Sequence, residues 1–295
     1  MARVVVITNP AAARTEYVAA QGITQAFKRA GWRCELLATG GPGDARRLAE
    51  YALGQHADIV VVYGGDGTTM QAAAALVGSD TPLGIVPGGT GNLLAGNLRL
   101  PRGPAAAVRA MLKGAHRTID LGRMERLDGT HFFAVAAGAG TDARVMAGTT
   151  AAEKRRWGMF AYAVTALRIL PAIRPVPHLI TVDGEVTRTD AAMVLVANCG
   201  EIVPPILALH PHVAPDDGVL DVVTVRAEGV AESLHTIGRF VLGDRSVGGR
   251  VLWQRGTDVT IVTDPPEPVE LDGESAGQTP FRAVVVPHAI RILMG

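Results

Sequence analysis

Four times in the first 100 residues, a short β-branched run lacking polar alternation is followed by a longer stretch with helical spacing. The runs are 4–8, 34–37, 59–63 and 83–86, followed by 16–30, 45–53, 68–77 and 92–98, with a further helical stretch at 105–114 opened by Pro104. Strands that are apolar on both faces must be covered on both faces, and helical crossovers make such strands parallel. Near Asp120 the rhythm changes to apolar runs at 132–137, 179–182, 192–197, 220–225, 259–262, 269–271 and 282–286, with few helices between them. Asp183-Gly184 and Asp272-Gly273, each between apolar runs, are hairpin signals. The expected fold is an α/β N-terminal domain with a parallel sheet over residues 1–125, then a mainly antiparallel domain over 126–295 with a helical insertion near 157–170.

Composition narrows the functional classes. The chain has 295 residues, with 28 basic and 28 acidic side chains, so no surface-wide basic field exists and nucleic acid is not expected as a partner. Cys34 and Cys199 lie far apart without CxxC spacing, which excludes a disulfide framework or a cysteine metal site. No stretch approaches the length of a membrane span, and the run 4–7 stops at Asn9-Pro10, too short for a leader. A cytoplasmic protein is expected.

The chemistry is concentrated in two glycine-rich turns. Gly64-Gly65-Asp66-Gly67-Thr68 stands where a buried run ends and a helical stretch begins, the edge of a parallel sheet at which ligands bind. Glycines let the backbone approach phosphate oxygens, and the helix start adds unpaired N–H groups. Asp66 would repel a bare phosphate; a divalent cation carried in with ATP, Mg²⁺, removes the conflict. The bland alternative is a tight turn with Asp66 as helix cap. A second turn of the same kind, Pro87-Gly88-Gly89-Thr90-Gly91-Asn92, follows the next run, and Thr90 and Asn92 offer it neutral polar groups. Neither turn is a Walker A or GxGxxG sequence.

With these two loops and the later Leu271-Asp272-Gly273-Glu274, the chain resembles the diacylglycerol kinase catalytic-domain family, which includes bacterial lipid kinases and sphingoid-base kinases. The likeness extends through Asn9-Pro10, Ile119-Asp120-Leu121-Gly122, Ala137-Gly138 with Asp142, Ala197-Asn198 and Asp217-Gly218-Val219-Leu220-Asp221. It implies an ATP-binding α/β domain, a β-sandwich lipid domain and ATP-dependent phosphorylation of a lipid hydroxyl. Matched by motif, Asn9, Pro10 and on through Arg14, Thr39, Gly64, Gly65, Asp66, Gly67, Thr68, Gly89, Thr90 and Asn92 would serve the nucleotide. Asp66 would anchor the active-site magnesium and Glu274 would be the general base. A structural magnesium would sit on the Asp217 carboxylate and the carbonyls of Ala214 and Val219. A homodimer is a further expectation.

Local pattern alone does not single out Glu274, because Asp183-Gly184-Glu185 repeats the triplet. Two departures stand out. Ala11-Ala12-Ala13 occupies the place where the family commonly has Ser-Gly. Leu93 follows Asn92 where many bacterial diacylglycerol kinases have Asp, a form closer to sphingoid-base-kinase-like members. Alternative readings are an NAD kinase-like enzyme, or a nucleotide- or lipid-binding pseudokinase. Lys154-Arg155-Arg156-Trp157, followed by Met159, Phe160 and Tyr162, mixes basic and aromatic residues as a peripheral contact at the inner membrane surface would; a solvated helix start is the plainer reading.

Overall fold

The computed structural model describes residues 2–140, 175–204, 207–210, 212–226 and 249–295, with residues 232 and 239. The helical insertion expected at 157–170, Asp142 and the basic-aromatic segment from Lys154 lie outside the described residues. The chain divides into two units, Met1–Ile119 with His288–Gly295, and Asp120–Pro287.

In the first unit, β1 (Arg3–Thr8), α1 (Tyr17–Arg29), β2 (Arg33–Ala38), α2 (Asp44–Gly54), β3 (Ile59–Gly64), α3 (Asp66–Leu76), β4 (Leu83–Pro87), α4 (Leu93–Asn97) and α5 (Pro104–Met111) follow one another. The strands form a parallel sheet in the order β2-β1-β3-β4, with Val5 registered between Glu35 and Val60. All six residues of β3 are buried, as an apolar run without alternation requires. Helix α1 buries Ala20, Ile23, Thr24 and Phe27, and α2 buries Ala45, Leu48, Ala49 and Ala52, the same i, i+3, i+4, i+7 stripe in each. Proline opens α5, where its missing N–H costs nothing. Fully buried Phe27 meets the Trp32 ring edge to face at 6.1 Å, and burying such a ring contributes up to about 3 kcal/mol.

The second unit holds β5 (His116–Arg126, from Asp120), β6 (Gly129–Phe133), β7 (Ala136–Gly140), β8 (Val176–Val182), β9 (Glu185–Ala191), β10 (Met193–Ala197), a short pair β11 (Glu201–Val203) and β12 (Leu207–Ala208), then β13 (Leu220–Val225), β14 (Val251–Gly256), β15 (Asp258–Thr263), β16 (Pro268–Leu271), β17 (Glu274–Gln278) and β18 (Phe281–Leu293). One sheet runs β14-β13-β10-β7-β16-β17 with every neighbour antiparallel. The other joins β18, β15, β8 and β9 antiparallel, with β5 paired to β18 and β6. A single core of Met124, Phe133, Ile180, Val194, Val222, Ile261 and Phe281 draws on strands of both sheets, which makes the unit a sandwich.

Four differences from the sequence reading stand out. The apolar run 132–137 is two strands, because the chain leaves one sheet after Phe133 and enters the other at Ala136; hydrophobicity is the same on both sides of that switch. β9, the second strand of the Asp183 hairpin, falls in no apolar run of the sequence, because most of its residues are polar. The expected boundary at 125 falls inside β5, and the division lies between Ile119 and Asp120. The tail also does not stay in the second unit: residues 288–295 belong to the first, where Ile292 lies parallel to Leu83. A non-local parallel pairing leaves no local pattern. Both Asp-Gly hairpins form as expected, with Val182 opposite Glu185 and Leu271 opposite Glu274. Cys34 and Cys199 are free thiols. Among the described residues, no helix is long and apolar enough to cross a membrane.

Candidate active site

The predicted nucleotide residues of the first unit gather at the carboxyl ends of its parallel strands. Thr39 follows β2 and donates its N–H to the Thr8 carbonyl at the end of β1 (2.9 Å). Asn9 follows β1. Its side-chain amide donates to Thr68 Oγ1 (2.9 Å), and its Oδ1 accepts the Ala11 N–H (3.0 Å), closing the turn through Pro10. Thr15 Oγ1 donates to the carbonyl of Asn9 (2.6 Å), and Arg14 N–H donates to the Gly88 carbonyl (2.9 Å). The three-alanine loop is therefore anchored without the Ser-Gly it replaces. Arg14 is exposed, and its guanidinium makes no ion pair among the described residues.

The glycines bring the two loops together. Gly88 N–H donates to the Gly64 carbonyl (2.7 Å). A Cβ on Gly89 would lie 2.6 Å from Gly65 Cα, and one on Gly88 would lie 2.6 Å from Thr15 Cγ2. Close approach of one backbone to another is thus a use of these glycines, beside any approach to phosphate. We expect Gly89→Ala to force the loops apart and cost about 1–3 kcal/mol, as overpacking does, with nucleotide affinity falling alongside; denaturant unfolding and nucleotide titration measure the two effects.

Asp66 opens α3 but does not cap it. Its Oδ1 accepts the N–H of Leu93 (2.6 Å), the first residue of α4, and a Cβ on Gly91 would meet its Oδ2 at 2.9 Å. The carboxylate therefore ties the first glycine loop to the second. Asn92, expected to face the nucleotide, is otherwise occupied: its Oδ1 accepts the Gly89 N–H (2.9 Å) and its Nδ2 donates to the Gly89 carbonyl (2.8 Å), with its backbone left-handed at φ 50. Thr90, in the second turn, and Gly67, in the opening of α3, are partly buried. Sequence reasoning missed Tyr63. Its hydroxyl donates to the Arg14 carbonyl (2.9 Å) and accepts the Glu16 N–H (3.2 Å), a role without signal in an otherwise apolar strand.

In the second unit, Glu274 is exposed at the start of β17 after a two-residue turn whose Asp272 and Gly273 have φ 47 and 84, the positive pair a type I′ hairpin needs. The Asp272 carboxylate accepts three consecutive N–H groups, from Ala134 (2.8 Å), Val135 (2.8 Å) and Ala136 (3.0 Å), at the bend between β6 and β7. Glu270 Oε2 accepts the Gly273 N–H (2.7 Å). The twin turn at Asp183 is clamped in the same way, to Thr257 and Asp258 (3.0 and 2.9 Å). The environments differ. Hydrogen bonds from Thr257 hold Asp183 below the usual carboxylate range, whereas burial, with some help from the Glu274 charge, pushes Asp272 up to about 6 against its three donors.

A carboxyl whose native pKa exceeds its unfolded value stabilises the fold below the unfolded pKa and loses that contribution as pH rises through the native one. The window here runs from about 4 to about 6. Asp272→Asn cannot accept all three N–H groups, so it is destabilised throughout. We expect the gap to wild type to widen as pH falls through that window, measured by urea unfolding.

The remaining family-like segments converge in the second unit. Buried Asp120 accepts the Gly218 N–H on Oδ2 (2.8 Å), and Asn198 Nδ2 donates to the carbonyls of Asp120 (3.1 Å) and Ala134 (2.9 Å). Asp217 Oδ1 accepts the Val219 N–H (3.2 Å), and Arg255 pairs with both Asp217 and Asp221. Burial raises the Asp217 pKa, and the Asp221 and Asp120 charges add to it. Asp221 Oδ2 is buried without a partner. Among the described residues, no three acidic, His or Cys side chains form a metal cage. The donor set expected of a structural magnesium, one carboxylate with two carbonyls, is of another kind, and the partnerless buried Asp221 Oδ2, on the carboxylate that shares Arg255 with Asp217, is an oxygen of the type a divalent cation takes.

Comparison with known proteins assigns the two halves separately. Residues 3–124 match the diacylglycerol kinase catalytic domain, and residues 135–294 match the YegS C-terminal NAD kinase beta sandwich-like domain. A diacylglycerol kinase of Mycobacterium tuberculosis is 31% identical over 99% of this chain and 94% of that protein. One from Bacillus subtilis is 27% identical over 100% and 97%. A solved diacylglycerol kinase structure from Bacillus anthracis superposes with a TM-score of 0.76, at 22% identity, over 99% of this chain and 97% of that one.

Proposed function

Since the chain belongs to the diacylglycerol kinase family of lipid kinases, we propose that it transfers the γ-phosphate of ATP to a lipid hydroxyl, of diacylglycerol or of a sphingoid-base-like acceptor. The observation that carries this reading is the joining of two glycine turns at one sheet edge by the Asp66 carboxylate, with Gly65 and Gly89 in backbone contact.

Phosphoryl transfer asks the protein mainly to position groups and neutralise charge. Holding acceptor and phosphate in line can supply up to about 7–11 kcal/mol. In this reading the α3 start and the exposed Arg14 take the phosphates. Magnesium, carried by the nucleotide and held by Asp66, would neutralise phosphate charge. Asp217, with the carbonyls of Ala214 and Val219, would hold a second, structural ion. Glu274 takes the acceptor proton late, because an alkyl hydroxyl is too weak an acid to ionise first. The Asx turn at Asn9 keeps the alanine loop in shape, which favours an active kinase over a pseudokinase. Incubation of purified protein with γ-labelled ATP and a total lipid extract, read by mass spectrometry, identifies the acceptor; nucleotide binding without any labelled lipid would support the pseudokinase instead.

A further inference from the structure

The loop that carries Arg14 is held by a residue of another strand. Tyr63, in β3, is 2% exposed. Its ring lies beside the second glycine turn, where a Cβ on Gly88 would meet Tyr63 Cε2 at 3.2 Å. Its hydroxyl spans two backbone groups of the β1–α1 loop, donating to the Arg14 carbonyl (2.9 Å) and accepting the Glu16 N–H (3.2 Å). Arg14 N–H donates to the Gly88 carbonyl (2.9 Å). Both backbone polar groups of Arg14 are thus taken, while the residue stays exposed. The bond to Glu16 does the task of a helix cap. Glu16 is the N-cap of α1, and α1 has no side-chain cap bond. A capping box brings a Glu or Gln at the third helical position back to the N-cap N–H, but that position is Ala19. Thr15 ties the loop to itself through the carbonyls of Asn9 and Ala12 (2.6 and 3.0 Å), whereas the Tyr63 hydroxyl ties its far end to the sheet.

We infer that Tyr63 is a positioning residue for the nucleotide: its hydroxyl fixes the Arg14 backbone between β3 and the second glycine turn, so that the guanidinium meets the ATP phosphates without a prior ordering of the loop. The inference rests on the nucleotide half of the kinase reading and on no choice of lipid. Without the hydroxyl, the Arg14 segment must be ordered when ATP binds, and a site that is competent only part of the time binds more weakly by that fraction. The net worth of a neutral hydrogen bond sets the size of the effect at about threefold to tenfold. Phenylalanine at this position keeps the ring beside Gly88 and removes only the hydroxyl.

The test is a double-mutant cycle, read by calorimetric titration of ATP with magnesium and no acceptor into the full chain as wild type, Tyr63→Phe, Arg14→Gln and the pair. Tyr63→Phe is expected to weaken ATP binding about threefold to tenfold in the presence of Arg14. In the Arg14→Gln background it is expected to change nothing further, because a residue that acts through Arg14 then has nothing left to position. The same loss in both backgrounds, which a merely structural tyrosine gives, overturns the inference, and so does a Tyr63→Phe protein with wild-type affinity. A wild type that binds no ATP removes the nucleotide reading itself, and the inference falls with it.

Discussion

Asp66→Ala is expected to lower lipid phosphorylation at least as far as Glu274→Gln. Asp66 has two tasks in this structure: it accepts the Leu93 N–H at 2.6 Å and so ties the loops together, and in the proposed reaction it holds the cation on the phosphates. Asp66→Asn separates them. Asparagine keeps an oxygen for the Leu93 N–H but gives up the charge. If neutralising phosphate charge is the larger task, as preorganised electrostatics usually is in catalysis, Asp66→Asn falls nearly as far as Asp66→Ala while unfolding like the wild type. An Asp66→Asn enzyme close to wild type in turnover would reduce this residue to a loop tie, and an Asp66→Ala enzyme clearly more active than Glu274→Gln would reverse the ranking.

The second large effect contrasts the two Asp-Gly-Glu turns. A general base is typically worth about 10²–10⁴-fold, so Glu274→Gln should lose turnover in that range with nucleotide affinity kept, while Glu185→Gln should change little. Both glutamates are exposed and both follow a type I′ turn clamped by its aspartate. Neither substitution disturbs the clamp, so stability should stay level. Comparable losses in both variants would refute the assignment of Glu274.

What the residues disclose by themselves follows from the range of the forces involved. The loops Gly64–Thr68 and Gly88–Asn92 are legible because a glycine turn between a buried strand and a helix is built from neighbours in the chain. The hairpins at Asp183 and Asp272 are legible for the same reason. Their difference is not: Asp272 reaches back 136 to 138 residues to the Ala134–Ala136 amides, and nothing in Asp-Gly-Glu encodes what surrounds it. Asn92 reads as a polar group offered outward, yet both its amide atoms close on Gly89. Asp66 reads as either a cap or a cation ligand; it does tie a helix start, but that of α4 and not its own. The return of residues 288–295 to the first unit depends on a parallel pairing that no periodicity announces.

The central claim is that the Asp66-linked loops deliver a phosphate from ATP to a lipid hydroxyl with Glu274 as base. Purified wild type, Asp66→Asn and Glu274→Gln given γ-labelled ATP, magnesium and either diacylglycerol, a sphingoid base or NAD test it directly. The account predicts an organic-extractable labelled lipid from the wild type and little from either variant. Label in NADP, or equal lipid labelling by all three proteins, would contradict it.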